Sequence, residues 1–303
     1  MVEQRLEALR KTMKSESLFA FIVPDSTPHA DNGASGRWAA LKWLTDDMEV
    51  DGLMVVTMNR LALWTDADRV GTLSERLSGA DVRVATLGED IARLVAEWLQ
   101  EELEANAYKG STEVGIDGMS SSWAVVDRLI GALRKHGGMT LRTNLDPFER
   151  IWSDRPKNTM DSIEIRLTDD NGVSLSERVE MVRRTLRQQH ADGTLMAGAD
   201  DVAWVLDGKA RECGGCPLPP CYLLVEQCGA TLYVDSCCLK DDGLAMLDRS
   251  GVRVEDYAKV GKGLENYFEY NILIDPEKVS YALVKKIKRP VVTGRLAVSS
   301  LMR

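Results

Sequence analysis

Charged side chains follow directly on an apolar run early in the chain. Leu61–Trp64 is apolar, and Thr65, Asp66, Asp68 and Arg69 come next with no glycine among them. Carboxylates and a guanidinium at the end of a buried strand could bind a charged ligand. They could equally form a solvated strand end, because aspartate is favoured in turns and at helix caps. No histidine lies nearby in the sequence, so we assign no catalytic residue to this stretch.

The cysteines form a second group that could do chemistry, and all six lie between Cys213 and Cys238. Cys213 and Cys216 have the C-x-x-C spacing that can begin a tetrahedral zinc site, with Cys221 and a later cysteine as further ligands. However, the chain has only one C-x-x-C, and the proline-rich stretch after Cys216 is incompatible with a helical redox motif. We therefore predict thiols without a metal, with a zinc site as the open alternative.

Only three histidines are present: His29, His136 and His190. His29 follows Pro28 in a loop after a predicted strand at 19–23, where it could face a substrate or fix the loop by bonding to the backbone. The other two are predicted to lie at helix ends, where a cation favours the helix dipole. A two-metal hydrolase needs carboxylates and a histidine around the ions, and the sequence contains no such series and no His-Glu-x-x-His. The sequence predicts no catalytic and no metal site in this chain.

Composition limits the class of protein. The 303 residues are 44% hydrophobic, which suffices for about two domains with buried cores. The net charge is −9, and we interpret Lys and Arg as scattered among acids, which argues against a duplex nucleic-acid or anionic-membrane partner. No signal peptide and no apolar run of about 18 residues is found. With clustered rather than dispersed cysteines, this indicates a cytoplasmic protein without nucleic-acid or membrane partners.

The elements that must position these residues occur in two copies. Residues 5–13 (RLEALRKTM) and 178–186 (RVEMVRRTL) share one amphipathic helical pattern. Residues 54–66 (MVVTMNRLALWTD) and 223–235 (LLVEQCGATLYVD) each contain two apolar runs joined by a short turn. Because both matches occur in the same order, we interpret the chain as two copies of one unit, each with a helix, a strand, a helix and a β-hairpin.

Helix-like and strand-like stretches alternate beyond the first hairpin, which predicts an α/β sheet with helices packed on it. The expected helices are 91–103 and 123–135, and the expected strands are 82–86, 114–116, 139–142, 252–255, 278–280 and 291–293. Pro147 and Pro156 bracket the exit from the first copy. We place domain I at 1–157 and domain II at 162–303. The last predicted helix has no cap, so we expect the sequence to be cut from a longer protein.

Five short motifs stand in a fixed order along the chain: FIVPDSTPH at 21–29, WLT at 43–45, VVT at 55–57, LWTD at 63–66 and IWSDRP at 151–156. Their order and spacing resemble the cytosolic aminopeptidase P (Xaa-Pro aminopeptidase) family. The resemblance implies an α/β fold of two tandem creatinase/prolidase N-terminal-like domains, each a mixed sheet flanked by helices. In that family a C-terminal domain binds two divalent ions, usually manganese, and carries the hydrolytic chemistry. No stretch of this sequence resembles that domain.

The sequence departs from the family pattern in two neighbouring places. Where the family has a glycine-rich loop, this chain has Asp46, Asp47, Glu49 and Asp51. Where the family has Gly-Arg-Tyr, residues 67–69 are Ala-Asp-Arg. By the resemblance, the family arginine reaches toward the substrate, and its aligned position here is an aspartate.

Three residues are implied as substrate-binding candidates by this resemblance: His29, Asp68 and Arg69. Arg69 comes one position after the aligned arginine. In a strand it would point to the opposite face, whereas in a helical turn it would be rotated by about 100°. We expect that Arg69 does not replace the family arginine.

The resemblance implies a non-catalytic N-terminal region of an aminopeptidase P-like metallopeptidase, whose parent would release the N-terminal residue from X-Pro peptides. This region would restrict substrate access and help assembly, with no cofactor of its own and two divalent ions (expected to be Mn) in the C-terminal domain. The expected partners are that catalytic domain, short proline-containing peptides and a second copy in a homodimer. The alternative is a degenerate member of the family that binds a peptide or protein without hydrolysis.

Overall fold

The computed structural model of the chain describes residues 2–29, 36–77, 79–85, 89–105, 110–158, 162–166, 168, 172–210 and 218–296. The chain forms two compact units. Unit 1 comprises residues 1–27 and 32–157, and unit 2 comprises residues 28–31 and 158–303. His29 therefore belongs to unit 2, although it lies near the start of the chain.

Unit 1 is built on one six-stranded sheet. Its strands are β1 (Ala20–Pro24), β2 (Leu53–Thr57), β3 (Leu61–Thr65), β4 (Asp81–Val84), β5 (Glu113–Ile116) and β6 (Thr140–Arg142). Its helices are α1 (Val2–Ser15), α2 (Ala40–Thr45), α3 (Val70–Arg76), α4 (Ile91–Ala105), α5 (Trp123–Lys135) and α6 (Phe148–Ile151). The strand order is β4-β3-β2-β1-β5-β6. The β1/β2 and β2/β3 pairs are antiparallel, and the other pairs are parallel.

Both faces of this sheet are covered, which follows from the alternation of side chains along each strand. In β1, Phe21 and Val23 join a core with α1 and α2, whereas Ile22 joins a second core with α4 and α5. In β3, Leu63 belongs to the first core and Trp64 to the second. The apolar run that precedes Asp66 is therefore a strand buried on both faces.

Unit 2 repeats this arrangement. Its strands are β7 (Ile163–Glu164), β8 (Gly193–Met196), β9 (Lys209–Ala210), β10 (Cys221–Glu226), β11 (Ala230–Val234), β12 (Val252–Glu255), β13 (Ile272–Ile274) and β14 (Val291–Thr293). Its helices are α7 (Leu175–Gln188), α8 (Ala199–Leu206), α9 (Asp241–Arg249), α10 (Val260–Glu265) and α11 (Tyr281–Val284). The main sheet has the order β12-β11-β10-β8-β13-β14, and β7 pairs with β9 in a small separate sheet.

The same pattern of antiparallel and parallel pairs occurs in the two main sheets. The predicted fold class and the predicted repeat of helix, strand, helix and hairpin are confirmed by this match. Among the expected strands, 278–280 is wrong: Lys278 lies in a turn, and the strand of this region is β13. The end of the expected strand at 82–86 and the last helix lie outside the described residues.

Candidate functional site

The loop after α2, residues 46–51, carries four acidic side chains, and we name it the acidic loop. Asp46 ends α2 in the left-handed conformation, with φ 56°. Arg5 Nη1 donates to its Oδ1 at 3.0 Å, and Arg76 Nη1 donates to its backbone oxygen at 2.8 Å. Arginines from α1 and α3 therefore hold the start of this loop.

Arg69 is paired with two carboxylates of the same loop. Its Nη2 donates to both carboxylate oxygens of Asp47, at 2.9 and 2.8 Å, and its Nη1 donates to Glu49 Oε2 at 2.9 Å. The Asp47 side chain is buried, with 7% exposed, whereas that of Glu49 is 79% exposed. Both hydrogen bonds to Asp47 come from the same nitrogen, and the third comes from Nη1, so two carboxylates hold the two terminal nitrogens of the guanidinium.

The backbone at Arg69 shows how this pairing arises. Arg69 is the N-cap residue of α3 with helical dihedral angles, so of the two expected conformations the helical turn is the one found. Its side chain is directed to Asp47 and Glu49, and Asp68 is exposed. The structure thus brings Arg69 together with the acidic loop.

A second group of carboxylates lies at the end of β3. Thr65 Oγ1 donates to Asp51 Oδ1 at 2.8 Å. The negative charge of Asp51 and a hydrogen bond between the two carboxyl groups raise the pKa of Asp66, and the charge of Asp68 adds to this effect. Gly52, with φ 101°, leads into the hairpin, and a Cβ there would meet Trp64 O at 1.9 Å. Only glycine fits this close backbone approach.

His29 is buried in unit 2, against the face of the sheet that carries Tyr222. Its Nδ1 lies 3.2 Å from Ala197 O, and its Nε2 lies 3.0 Å from Tyr257 Oη. Because a carbonyl oxygen only accepts, Nδ1 carries the proton, and the Tyr257 hydroxyl donates to Nε2. The ring packs on Tyr222 with centroids 4.6 Å apart.

The environment of His29 keeps its imidazole neutral. Burial lowers its pKa to about 4, against weaker opposite effects of hydrogen bonds to backbone at Ala197 and Cys221. Both ring nitrogens are engaged within unit 2, so this arrangement fixes the loop and orients the ring. The structure places His29 in unit 2, while Asp68 and Arg69 belong to unit 1.

The IWSDRP motif packs within unit 1. Trp152 stacks on Trp43, with centroids 5.1 Å apart and planes 18° apart. Arg155 is 6% exposed, donates to Asp146 Oδ2 at 2.6 Å and donates through Nε to the backbone oxygen of Arg37 at 2.8 Å. The motif therefore acts by packing the end of unit 1.

Sequence reasoning missed two equivalent aspartates, one at the end of the fifth main strand of each sheet. Asp117 follows β5, and its Oδ1 accepts the N–H of Met119 at 2.8 Å. Asp275 follows β13, and its Oδ1 accepts the N–H of Glu277 at 3.0 Å. Each lines a small cavity of its own unit. An isoleucine that ends each strand and an aspartate directly after it form the dipeptide signal that could have revealed this repeat.

The structure describes four cysteines, and they differ in exposure. Cys221 and Cys238 are buried, and Cys228 and Cys237 are exposed. Cys213 and Cys216, which carry the C-x-x-C spacing, lie outside the described residues. Within the described ranges, no three His, Cys, Asp or Glu side chains are grouped closely enough to hold a metal ion. In that same part of the chain, helices fall short of the length and apolar character that crossing a bilayer requires.

Comparison with known proteins gives the class. The creatinase/prolidase N-terminal domain matches residues 5–142 and again residues 154–302. The chain belongs to this family and carries two such domains in tandem. The predicted resemblance to the N-terminal and middle domains of Xaa-Pro aminopeptidases is thereby confirmed.

Particular relatives agree with this assignment. Aminopeptidase P1 of Arabidopsis thaliana is 26% identical over 257 residues, which are 84% of this chain and 39% of that protein. A probable Xaa-Pro aminopeptidase P of Neurospora crassa is 28% identical over 263 residues, 86% of this chain and 38% of that protein. The chain thus spans about two fifths of the length of these relatives.

A solved structure shares the fold. It is the X-prolyl aminopeptidase from Caenorhabditis elegans, described as a cytosolic enzyme with a di-nuclear active site. This chain matches it with a TM-score of 0.85 and 20% identity, over 99% of this chain and 51% of that one.

Proposed function

We propose that this chain is the non-catalytic N-terminal region of an aminopeptidase P-like metallopeptidase, whose parent releases the N-terminal residue from X-Pro peptides. The observation that carries the proposal is the tandem pair of creatinase/prolidase N-terminal domains, in a chain similar to proteins named Xaa-Pro aminopeptidases. In this role the two units restrict substrate access and help assembly. The reaction requires two divalent ions, with manganese as our expectation, bound by residues beyond this chain.

The contacts of the three candidate substrate-binding residues support the following proposed roles. Arg69 forms two hydrogen bonds to Asp47 and one to Glu49, so both of its terminal nitrogens are engaged within unit 1. His29 is a neutral, buried positioning residue. Asp68 is the candidate whose side chain is exposed. Its negative charge would attract the ammonium group of a peptide and repel a peptide carboxylate.

A chimera tests the proposal. This chain is joined to the part of Arabidopsis aminopeptidase P1 that it does not match, and release of the N-terminal residue from an Xaa-Pro tripeptide is measured with Mn²⁺. We expect cleavage by the chimera, none by this chain alone, and less by the Arabidopsis part alone. Cleavage by this chain alone, or a folded and metal-loaded chimera no more active than the Arabidopsis part, would overturn it.

The alternative proposal is a degenerate family member that binds a peptide or protein without hydrolysis. The pairing of Arg69 with Asp47 and Glu49 favours it, because an arginine whose two terminal nitrogens are held in this way is not available to a substrate carboxylate. Titration of this chain with a proline-containing peptide by calorimetry tests for binding. Binding to this chain together with a chimera that folds but does not cleave would support the alternative over the first proposal.

The proposal also covers the cellular location of the protein and its oligomeric state. We propose a cytoplasmic protein that forms a homodimer with its own catalytic domain in place, supported by the description of the nematode relative as a cytosolic enzyme. Light scattering after size exclusion measures the mass of the chimera and of this chain. A monomeric, active chimera would reject the dimer while leaving the activity proposal in place.

A further inference from the structure

Unit 2 carries a segment of strong positive charge. Residues 278–303 contain seven Lys and Arg residues and no Asp or Glu, in a chain whose net charge is −9. Four of them, Lys285, Lys286, Lys288 and Arg289, lie between α11 and β14 and are exposed. We name these four residues the basic turn. The interpretation that basic residues are scattered among acids is therefore wrong for this segment.

The basic turn adjoins a second loop, residues 266–271, which we name the aromatic loop. Lys286 Nζ lies 2.9 Å from Glu265 Oε1, at the end of α10 and directly before this loop. The N–H of Ile272, which follows the loop, donates to Pro290 O at 3.0 Å, directly after the basic turn. Positive charge from Lys288 and from the exposed Lys262 also acts on Glu265. Glu265 is thus paired with a lysine of the basic turn and surrounded by further positive charge.

The aromatic loop presents two rings to solvent. Phe268 is 71% exposed and Tyr270 is 76% exposed, which is unusual for side chains of this size. Glu269 between them is half-buried. Burial raises the pKa of Tyr267, and the carboxylate of Glu269 adds to this effect, which places Glu269 close to the buried Tyr267. The outer face of the loop therefore offers aromatic surface beside positive charge.

We propose that the basic turn and the aromatic loop bind single-stranded nucleic acid. Lysine and arginine attract the phosphates, and exposed bases stack on the two rings. The five positions 285–289 span at most about 17 Å, so only a few nucleotides are in contact. A short single strand of nucleic acid therefore contacts only the basic turn and the aromatic loop. The charges of acidic residues more than about 8 Å away are largely screened at physiological ionic strength. A planar anionic membrane or a long duplex would meet the acidic surroundings as well.

Fluorescence anisotropy of a labelled oligo(U) 15-mer, titrated with this chain at several salt concentrations, tests the proposal. We expect the charge variant K285Q/K288Q/R289Q to bind at least about tenfold more weakly and to lower the slope of log affinity against log salt by about 2. The ring variant F268A/Y270A should lose about tenfold per ring with an unchanged salt slope. The matched control R128Q/R134Q/K135Q removes as much exposed charge from α5 and should bind like the original chain.

Competing occupants are tested in parallel with a duplex of the same length, phosphatidylserine vesicles and an oligo-glutamate peptide. Circular dichroism melts confirm that each variant is folded. The proposal is overturned if the 15-mer does not bind at low salt, or if the α5 control weakens binding as much as the charge variant. Stronger binding to the duplex, the vesicles or the peptide would also overturn it and would identify the other class of partner.

Discussion

Replacing Asp117 with asparagine should stabilise unit 1 at neutral pH and have little effect in acid. Burial and the nearby Asp146 carboxylate raise the pKa of Asp117 from its ordinary 3.8 to about 6. The folded protein therefore holds this proton more tightly than the unfolded chain does. The resulting stabilisation is complete below about pH 3.8 and is lost as the pH rises through about 6.

The magnitude follows from the difference in pKa between the folded and unfolded states. A difference of about 2 corresponds to about 3 kcal/mol of unfolding free energy at pH 7.5. Asp117 keeps part of its surface in solvent, so this figure is an upper limit. Asparagine can still accept the N–H of Met119, which Asp117 Oδ1 accepts at 2.8 Å. We expect D117N to be more stable than the original chain by about 1–3 kcal/mol at pH 7.5, with this gain shrinking toward zero near pH 4.

Urea unfolding followed by tryptophan fluorescence is the assay. All tryptophans except Trp204 lie within unit 1, so the signal reports mainly on the unit that contains Asp117. The matched control is D275N, because Asp275 has the equivalent position in unit 2. Comparing variant and original chain at each pH removes the contributions of other carboxylates. The reasoning is refuted if D117N is the less stable protein at pH 7.5, or if the difference does not change between pH 4.5 and 7.5.

Three further predictions concern the candidate site and its supports. D47A should cost unit 1 about 2–3 kcal/mol in urea unfolding, because it leaves Arg69 without its buried carboxylate partner, whereas E49A at an exposed carboxylate should cost less than about 1 kcal/mol. G52A should cost more than about 3 kcal/mol or prevent folding, because of its backbone clash, while G79A at open space should cost only about 1 kcal/mol. His29 should stay neutral down to about pH 5 by NMR titration of its ring, and the stability from its lowered pKa should be present above about pH 6.5 and be lost as the pH falls toward 4.

The sheets could be predicted because their signal is local and repeated. The apolar hairpins at 54–66 and 223–235 became β2–β3 and β10–β11, and the helical stripes at 5–13 and 178–186 became parts of α1 and α7. The strand β13 was missed because Ile272–Ile274 is buried at every position and shows no alternation, and the strand of this region was placed at 278–280 instead. Short buried strands have no period that a sequence can reveal.

The candidate site could be predicted only in part, because its contacts join residues far apart in the chain. The acidic loop and Arg69 were both recognised from the sequence, but their pairing depends on Arg69 taking the N-cap position of α3. The position of His29 in unit 2 depends on contacts with residues 197 and 257. Such contacts are set by tertiary packing, and neither local propensity nor spacing encodes them.

The acidic loop is held in place by arginines from neighbouring elements. Four carboxylates within six residues would repel one another in a mobile loop, because like charges a few ångströms apart are unfavourable even near a protein surface. Arginines on α1 and α3 offset this repulsion: Arg5 pairs with Asp46, Arg69 with Asp47 and Glu49, and Arg76 lies 3.4 Å from Asp47.

Asp47 is the centre of this network, because it is buried and faces two arginines at once. Its loss should therefore release the loop as well as two ion pairs, whereas the loss of Glu49 removes a single solvent-exposed contact. Hydrogen exchange of the amides at 46–51 separates the two effects. Protection should fall in D47A and stay unchanged in E49A. Equal protection in both variants would show that the backbone of α2 and β2, and not the arginine network, holds the loop in place.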